Sequence, residues 1–127
     1  ADPARVLFFG RVFELVSDAF EDLVRASGLD FEEVDSLQGY TTPIVHAEAD
    51  YRQPLRHGEK IRVEVVCEHL GRSSFAIGYR FCDAQGGLRA TARTVHVHLG
   101  PDSAGKAPLP EAIRSALILK HDPRSVR

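Results

Sequence analysis

The sequence has only two cysteines and no long apolar run, and each of these facts limits what the protein can be. Its two cysteines, Cys67 and Cys82, fall within predicted strands and match no metal-ligand spacing. We expect them to be buried free thiols in a reducing cytoplasm. No apolar run approaches the ~20 residues of a membrane-spanning helix, and no signal peptide is visible. We therefore expect a cytoplasmic protein without a membrane partner.

The charge balance is close to neutral. There are 16 Lys and Arg residues against 18 Asp and Glu, which gives a formal net charge of -2. A nucleic-acid partner would call for a basic surface, so we expect none. The 127 residues, of which 43% are hydrophobic, suffice for one globular domain over residues 1–127 with its own core.

A period of three to four residues predicts one long amphipathic helix from Gly10 to Ser27. The apolar face of this helix comprises Val12, Phe13, Val16, Ala19, Phe20, Leu23 and Val24. Gly28 follows it and is a residue type that ends helices. Pro110 opens a second, short helix that runs to about Leu119, because proline is favoured in a first helical turn.

Between the two helices the apolar period changes to two, which predicts strands. Three predicted strands cover residues 43–52, 60–70 and 88–99, and a further strand is marked by Phe75, Ile77, Tyr79 and Phe81. In the last strand the apolar phase switches near Arg93 and Thr94, which predicts a bulge or a strong twist. His96 and His98 alternate in that strand, and we expect them at the surface or at an interface.

The order of a long helix, four antiparallel strands in a meander and a short helix predicts an α+β fold. The long helix covers one face of the sheet. Where the other face or the edge strands are apolar, we expect another subunit to cover them.

An acidic residue, Asp2, stands just before the apolar stretch 6–9 and the predicted helix. The free N–H groups of a helix N-terminus stabilise an oxyanion, so a carboxylate beside them suits a hydrolase. An aspartate in this position also commonly caps a helix or closes a turn. The residues alone leave both interpretations open.

Several segments together resemble one enzyme family. Residues 2–11, DPARVLFFGR, resemble the Asp-Pro-Ala-Gly-Ile-Val opening of 4-hydroxybenzoyl-CoA thioesterases and related acyl-CoA thioesterases, in which two aromatics follow. Residues 42–51, TPIVHAEADY, resemble the family's second segment in the form found in 1,4-dihydroxy-2-naphthoyl-CoA thioesterases. Segments 54–55, 58–59 and 71–75 follow in the family's order, so the resemblance covers nearly the whole chain.

This resemblance implies the hot-dog fold, in which an antiparallel sheet wraps a long helix. It also implies a homodimer with active sites between its subunits, often paired into a homotetramer. In the family a strand precedes the aspartate that matches Asp2, and we expect that strand to be missing from this sequence.

The resemblance also implies roles for particular residues. Asp2 would act in thioester hydrolysis as the nucleophile or as a general base that activates water. The backbone N–H of Phe9, at the helix start, would polarise the thioester carbonyl. Arg72, Ser73 and Ser74 would lie near the nucleotide of coenzyme A, whose phosphates suit such donors. The alternative for these three residues is a solvated turn.

His46 has two open interpretations: a place near the acyl group, or a polar position on a strand at an interface or on the surface. With Glu48 and Asp50 it forms a polar strip that matches no recognised metal-ligand set, so we expect no metal. We expect no cofactor apart from the coenzyme A of the substrate.

Some residues depart from the family pattern. Arg5 replaces a common Gly, and Arg11 and Val12 replace Asn and Tyr of the best-known branches. Because these positions lie near the acyl pocket in the family, they bear on the substrate more than on the reaction. We expect hydrolysis of an acyl-CoA with an aromatic or medium acyl group, or of an acyl carrier protein thioester as a close variant.

Two other hypotheses stay open. The first is a hot-dog protein that binds an acyl thioester without hydrolysing it, which the altered helix start motivates. The second is a dehydratase of the same fold. It ranks lower, because such enzymes generally need a histidine and no histidine lies in the long helix or just before it.

Overall fold

A computed structural model of the protein describes residues 3–26, 39–55, 58–101 and 104–118, with side chains from Val12 onward. The elements are α1 (Pro3–Ala26), β1 (Ile44–Tyr51), β2 (Arg62–Leu70), β3 (Ser74–Cys82), β4 (Leu88–Val97) and α2 (Glu111–Ile118). This confirms the predicted α+β class and the order of the elements. Within these ranges, no helix combines the length and apolar character that crossing a membrane requires.

All four strands form one antiparallel sheet in the order β1-β4-β3-β2. Tight turns join β2 to β3 and β3 to β4, as predicted. The prediction of a simple four-strand meander is wrong for β1, which pairs with β4 through Ala47 opposite Thr94 and Tyr51 opposite Ala90. The chain after β1 crosses to the opposite edge of the sheet, where β2 pairs with β3.

The core lies between the helices and one face of the sheet, called here the inner face. Side chains on alternate positions of a strand share a face. On β3 the inner face carries Phe75, Ile77, Tyr79 and Phe81, all buried. In the same apolar cluster α1 contributes Val12, Val16 and Leu23, and α2 contributes Ile113 and Leu117. Both helices are therefore held by one core.

The long helix begins at Pro3, not at the predicted Gly10. Proline suits the first helical position, since its φ is already helical and its missing N–H would have no partner there. The prediction began late because the apolar run 6–9 shows no helical period. The predicted end at Ser27 lies outside the described residues.

Of the bulge or strong twist predicted near Arg93, the bulge is wrong, because β4 keeps an unbroken register with β3 through this region. The twist stays a prediction. The inner face of β4 carries Ala90, Ala92, Thr94 and His96, all buried. The inner positions therefore change from apolar to polar partway along, while Val95 lies on the opposite, outer face. The apolar residues therefore move from one face of β4 to the other, while the strand itself stays in register with β3 there.

Candidate active site

The two residues predicted to carry the chemistry lie at the start of the chain. Asp2 lies outside the described residues. Phe9 belongs to α1, of which it is the seventh residue, so it follows the helix start by almost two turns. An N–H at this depth in a regular helix bonds the carbonyl four residues back, and the free N–H groups belong to the first turn. The predicted place of Phe9 at the helix start is therefore wrong, and the role of its N–H stays a prediction.

His46 lies on β1 at the edge of the sheet. Its Nε2 is 3.1 Å from Oε1 of Glu48, and both side chains are about half exposed. The β1 register shifts between Ile44 and His46, and Ile44 is 55% exposed and Val45 58% exposed. The role of His46 stays a prediction.

The three residues predicted to contact coenzyme A lie together. Arg72 and Ser73 form the turn between β2 and β3, and Ser74 opens β3. The Gly71 N–H donates to the Ser74 carbonyl at 2.8 Å and closes the turn. Arg72 is exposed, and the two serines are half-buried. The turn therefore offers a cation and two hydroxyls near the protein surface, a donor set that suits an anion.

An arginine that sequence reasoning missed contacts this turn. Arg114 of α2 donates from Nη2 to the Gly71 carbonyl at 2.7 Å and to the Arg72 carbonyl at 3.2 Å. The Leu109 N–H also donates to the Arg72 carbonyl, at 2.8 Å. No sequence signal indicates this contact, because the partners lie more than 40 residues apart and no spacing rule links them.

His98 lies at the same end of the sheet and is only 1% exposed, so its expected place at the surface is wrong within this chain. Its Nδ1 lies 2.9 Å from the Thr42 hydroxyl, and its ring stacks on Tyr40 with 5.1 Å between centroids. Its backbone N–H donates to the Ser73 carbonyl at 2.8 Å. His98 thus ties the segment before β1 and the turn to the end of β4.

His96 is also buried, at 2% exposure, which corrects the same expectation. Its ring lies between those of Phe20 and Phe75, with centroids 4.7 and 4.6 Å away. Its Nε2 lies 2.9 Å from the Thr94 hydroxyl, which lies 3.0 Å from the Tyr79 hydroxyl. Burial lowers the pKa of His96 to about 4 and raises the pKa of Tyr79 to about 12. The three side chains therefore form an uncharged hydrogen-bonded chain near neutral pH.

Charged groups at the opposite end of the sheet hold the loop before β2. Arg89, with a side chain 11% exposed, pairs with Glu59 at 3.1 Å, with Asp83 at 3.4 Å and with the Pro54 carbonyl. Backbone N–H donation from Gly87, with Arg89 among the further contributors, lowers the pKa of Asp83. The Glu59 position in the family-like segment 58–59 thus has a structural role.

The outer face of the sheet carries a trough of about 750 Å³ lined by charged side chains. Arg93 pairs with Glu68 at 3.1 Å and Arg80 with Glu64 at 3.5 Å. Glu68 lies over Gly78, where an added Cβ would come within 2.5 Å of its carboxylate. The trough contains none of the predicted site residues whose side chains are described. Across the described ranges, no group of three or more His, Cys, Asp or Glu residues is arranged to hold a metal ion.

Comparisons with known proteins place this geometry in context. The family model described as "Thioesterase-like superfamily" matches residues 1–117. A 1,4-dihydroxy-2-naphthoyl-CoA hydrolase of Synechococcus elongatus is 32% identical over 95% of this chain and 89% of its own. The hydrolase of the same name from Rippkaea orientalis is 32% identical over 88% and 83%. The crystal structure of a 1,4-dihydroxy-2-naphthoyl-CoA thioesterase from Synechocystis superposes with a TM-score of 0.84, at 27% identity, covering 96% of this chain and 90% of that one.

Proposed function

Because the chain belongs to the thioesterase-like superfamily, we propose that it hydrolyses an acyl-CoA thioester to a free acid and coenzyme A. The observation that carries the proposal is the extent of the match, which includes both the segment with Asp2 and the turn at 71–74. The predicted family and the predicted hot-dog fold are confirmed.

We propose an aromatic acyl group, with 1,4-dihydroxy-2-naphthoyl-CoA as the first substrate to test. The names of the relatives support this choice over a medium aliphatic chain. The departures at Arg5 and Arg11 lie in the segment that the family uses near the acyl group. They are the reason to test other aromatic esters beside it.

In the proposed reaction, attack on the thioester carbonyl forms a C–O bond and breaks the C–S bond, and the sulfur leaves with a proton as the thiol of coenzyme A. Asp2 either attacks directly, giving an anhydride that water then opens, or takes a proton from the attacking water. The oxyanion donor that the resemblance assigns is the backbone N–H of Phe9, the seventh residue of α1, which would have to serve the oxyanion as well as the carbonyl four residues back. Losing one such donor typically costs about a hundredfold or more in rate.

The turn at 71–74 is the proposed contact for the nucleotide of coenzyme A. Arg72 supplies a guanidinium, which binds phosphate in a bidentate fashion, and Ser73 and Ser74 supply hydroxyl donors. His46, on the edge strand β1, is proposed to lie near the acyl group, with a role at a subunit interface as the alternative.

We propose a homodimer or a homotetramer in the cytoplasm. The supporting observation is β1, which has β4 as its one strand partner in the described part of the chain and exposes Ile44 and Val45. Strand edges with exposed apolar side chains are commonly covered by another chain.

The test is a panel of thioesters incubated with the purified protein, with release of free thiol as the readout. The panel contains 1,4-dihydroxy-2-naphthoyl-CoA, other aromatic and aliphatic CoA esters, and an acyl carrier protein thioester. We expect turnover of aromatic CoA esters. Binding of CoA esters without turnover of any of them would instead support the non-hydrolytic hypothesis.

A further inference from the structure

The turn at 71–74 is held by its carbonyl groups. The Gly71 carbonyl accepts from Arg114, the Arg72 carbonyl accepts from Arg114 and from the Leu109 N–H, and the Ser73 carbonyl accepts from the His98 N–H. Three successive carbonyls are therefore bonded to other parts of the protein. Among these donors, only the one from Arg114 is a side chain.

Arg114 is itself held in place. It lies on α2, between the buried side chains of Ile113 and Leu117 along the chain, and is half-buried. Its backbone N–H donates to the Pro110 carbonyl at 3.0 Å. A guanidinium presents several donors in one rigid plane, so a single side chain can bond two neighbouring carbonyls. The packing of α2 on the core thus fixes the position of the turn.

We propose that Arg114 is a positioning residue for coenzyme A: it holds the backbone of the turn from which Arg72 reaches the nucleotide phosphates. This inference rests on the proposed function. A flexible turn would lose conformational freedom when the substrate binds, and that loss weakens binding. A turn that is ordered in advance avoids it. Arg114 acts through the turn and does not itself touch the reacting atoms.

The experiment compares two substrates with the same acyl group, one on coenzyme A and one on N-acetylcysteamine, which lacks the nucleotide. For Arg114→Ala we expect the KM of the CoA ester to rise about tenfold. The kcat and the KM of the N-acetylcysteamine ester should stay near the wild-type values. Arg114→Lys keeps a positively charged donor group but lacks the planar guanidinium, so its KM for the CoA ester should lie between those of wild type and Arg114→Ala.

Three further variants complete the test. Arg72→Ala should raise the same KM, and the double variant Arg72→Ala/Arg114→Ala should lose no more than Arg72→Ala alone, because both act on one contact. Arg62→Ala is the matched control: it removes an exposed arginine from β2, at the other end of the sheet, where it pairs with Glu64. It should leave both KM values unchanged.

The inference is overturned if Arg114→Ala raises the KM of both esters by the same factor, or of neither. It is also overturned if the effects of Arg72→Ala and Arg114→Ala on the KM of the CoA ester simply add in the double variant. If Arg114→Ala does not fold, Arg114→Lys carries the comparison, and an equal effect on both esters overturns the inference. A wild-type protein that hydrolyses no CoA ester contradicts the proposed function instead. In that case the binding affinity for coenzyme A tests the inference about Arg114. Equal affinities of wild type and Arg114→Ala would overturn it.

Discussion

The buried chain of Tyr79, Thr94 and His96 predicts a specific dependence of stability on pH. Burial lowers the pKa of His96 from 6.5 to about 4. The unfolded chain therefore binds a proton at His96 more readily than the folded one does, and stability falls as the pH drops through this interval. About one pH unit above 6.5 both states are almost entirely neutral at this site, and the effect vanishes.

The size of the effect follows from the two pKa values. A shift of this size corresponds to about 3 kcal/mol once the pH lies below both values. By the same linkage relation, the loss between pH 7.5 and pH 5 is about 2 kcal/mol. A loss of this size is a large fraction of the ~5–15 kcal/mol by which a typical domain is stable.

The assay is urea unfolding at pH 7.5, 6 and 5 for wild type, His96→Phe and His46→Gln. Phenylalanine keeps an aromatic ring between Phe20 and Phe75 but cannot take up a proton. Between pH 7.5 and pH 5, we expect the free energy of unfolding of His96→Phe to fall by about 2 kcal/mol less than that of wild type. His46→Gln, which removes an exposed histidine, should retain the wild-type dependence. An equal loss in wild type and His96→Phe would refute the reasoning.

Two other predictions concern stability and thiol chemistry. Arg89→Met should lower the free energy of unfolding by about 2 kcal/mol or more, because Glu59 and Asp83 would lose their shared cation in a partly buried place. Urea unfolding measures this, with Arg62→Met as the control. Equal losses of unfolding free energy in the two variants would contradict the prediction. Cys67 is buried, and burial raises the pKa of its thiol to about 11, so an aromatic disulfide reagent at pH 8 should modify Cys67 only in denaturant. Mass spectrometry of the modified peptide checks this, and fast labelling of Cys67 in the native protein would contradict it.

The periodic patterns predicted most of the elements, because the spacing of apolar residues along the sequence reflects which face of a helix or strand is buried. All four strands were placed this way, whereas α2 was placed by the proline that precedes it. The pattern failed in β4, where Thr94 and His96 occupy inner positions. Polar side chains enter a core only when partners satisfy them, and those partners, Tyr79 and two phenylalanine rings, lie elsewhere in the sequence.

Pairings between distant segments were harder to predict. No local signal shows that β1 pairs with β4, or that Arg114 bonds the turn at 71–74. Such contacts depend on how the chain returns to itself, whereas composition and spacing describe only neighbours along it. The candidate site depended on the resemblance for the same reason, since the residues around Asp2 alone suit a helix cap as well as a catalytic carboxylate.

The most direct test of the proposed hydrolysis compares the turnover of 1,4-dihydroxy-2-naphthoyl-CoA by wild type, Asp2→Asn and Asp18→Asn. The release of free thiol is the readout. Asp18 is an exposed carboxylate further along α1, so its variant is a matched control. We predict that Asp2→Asn lowers kcat by about a hundredfold or more with an unchanged melting temperature, while Asp18→Asn behaves as wild type. An Asp2→Asn variant with the wild-type kcat would contradict the account.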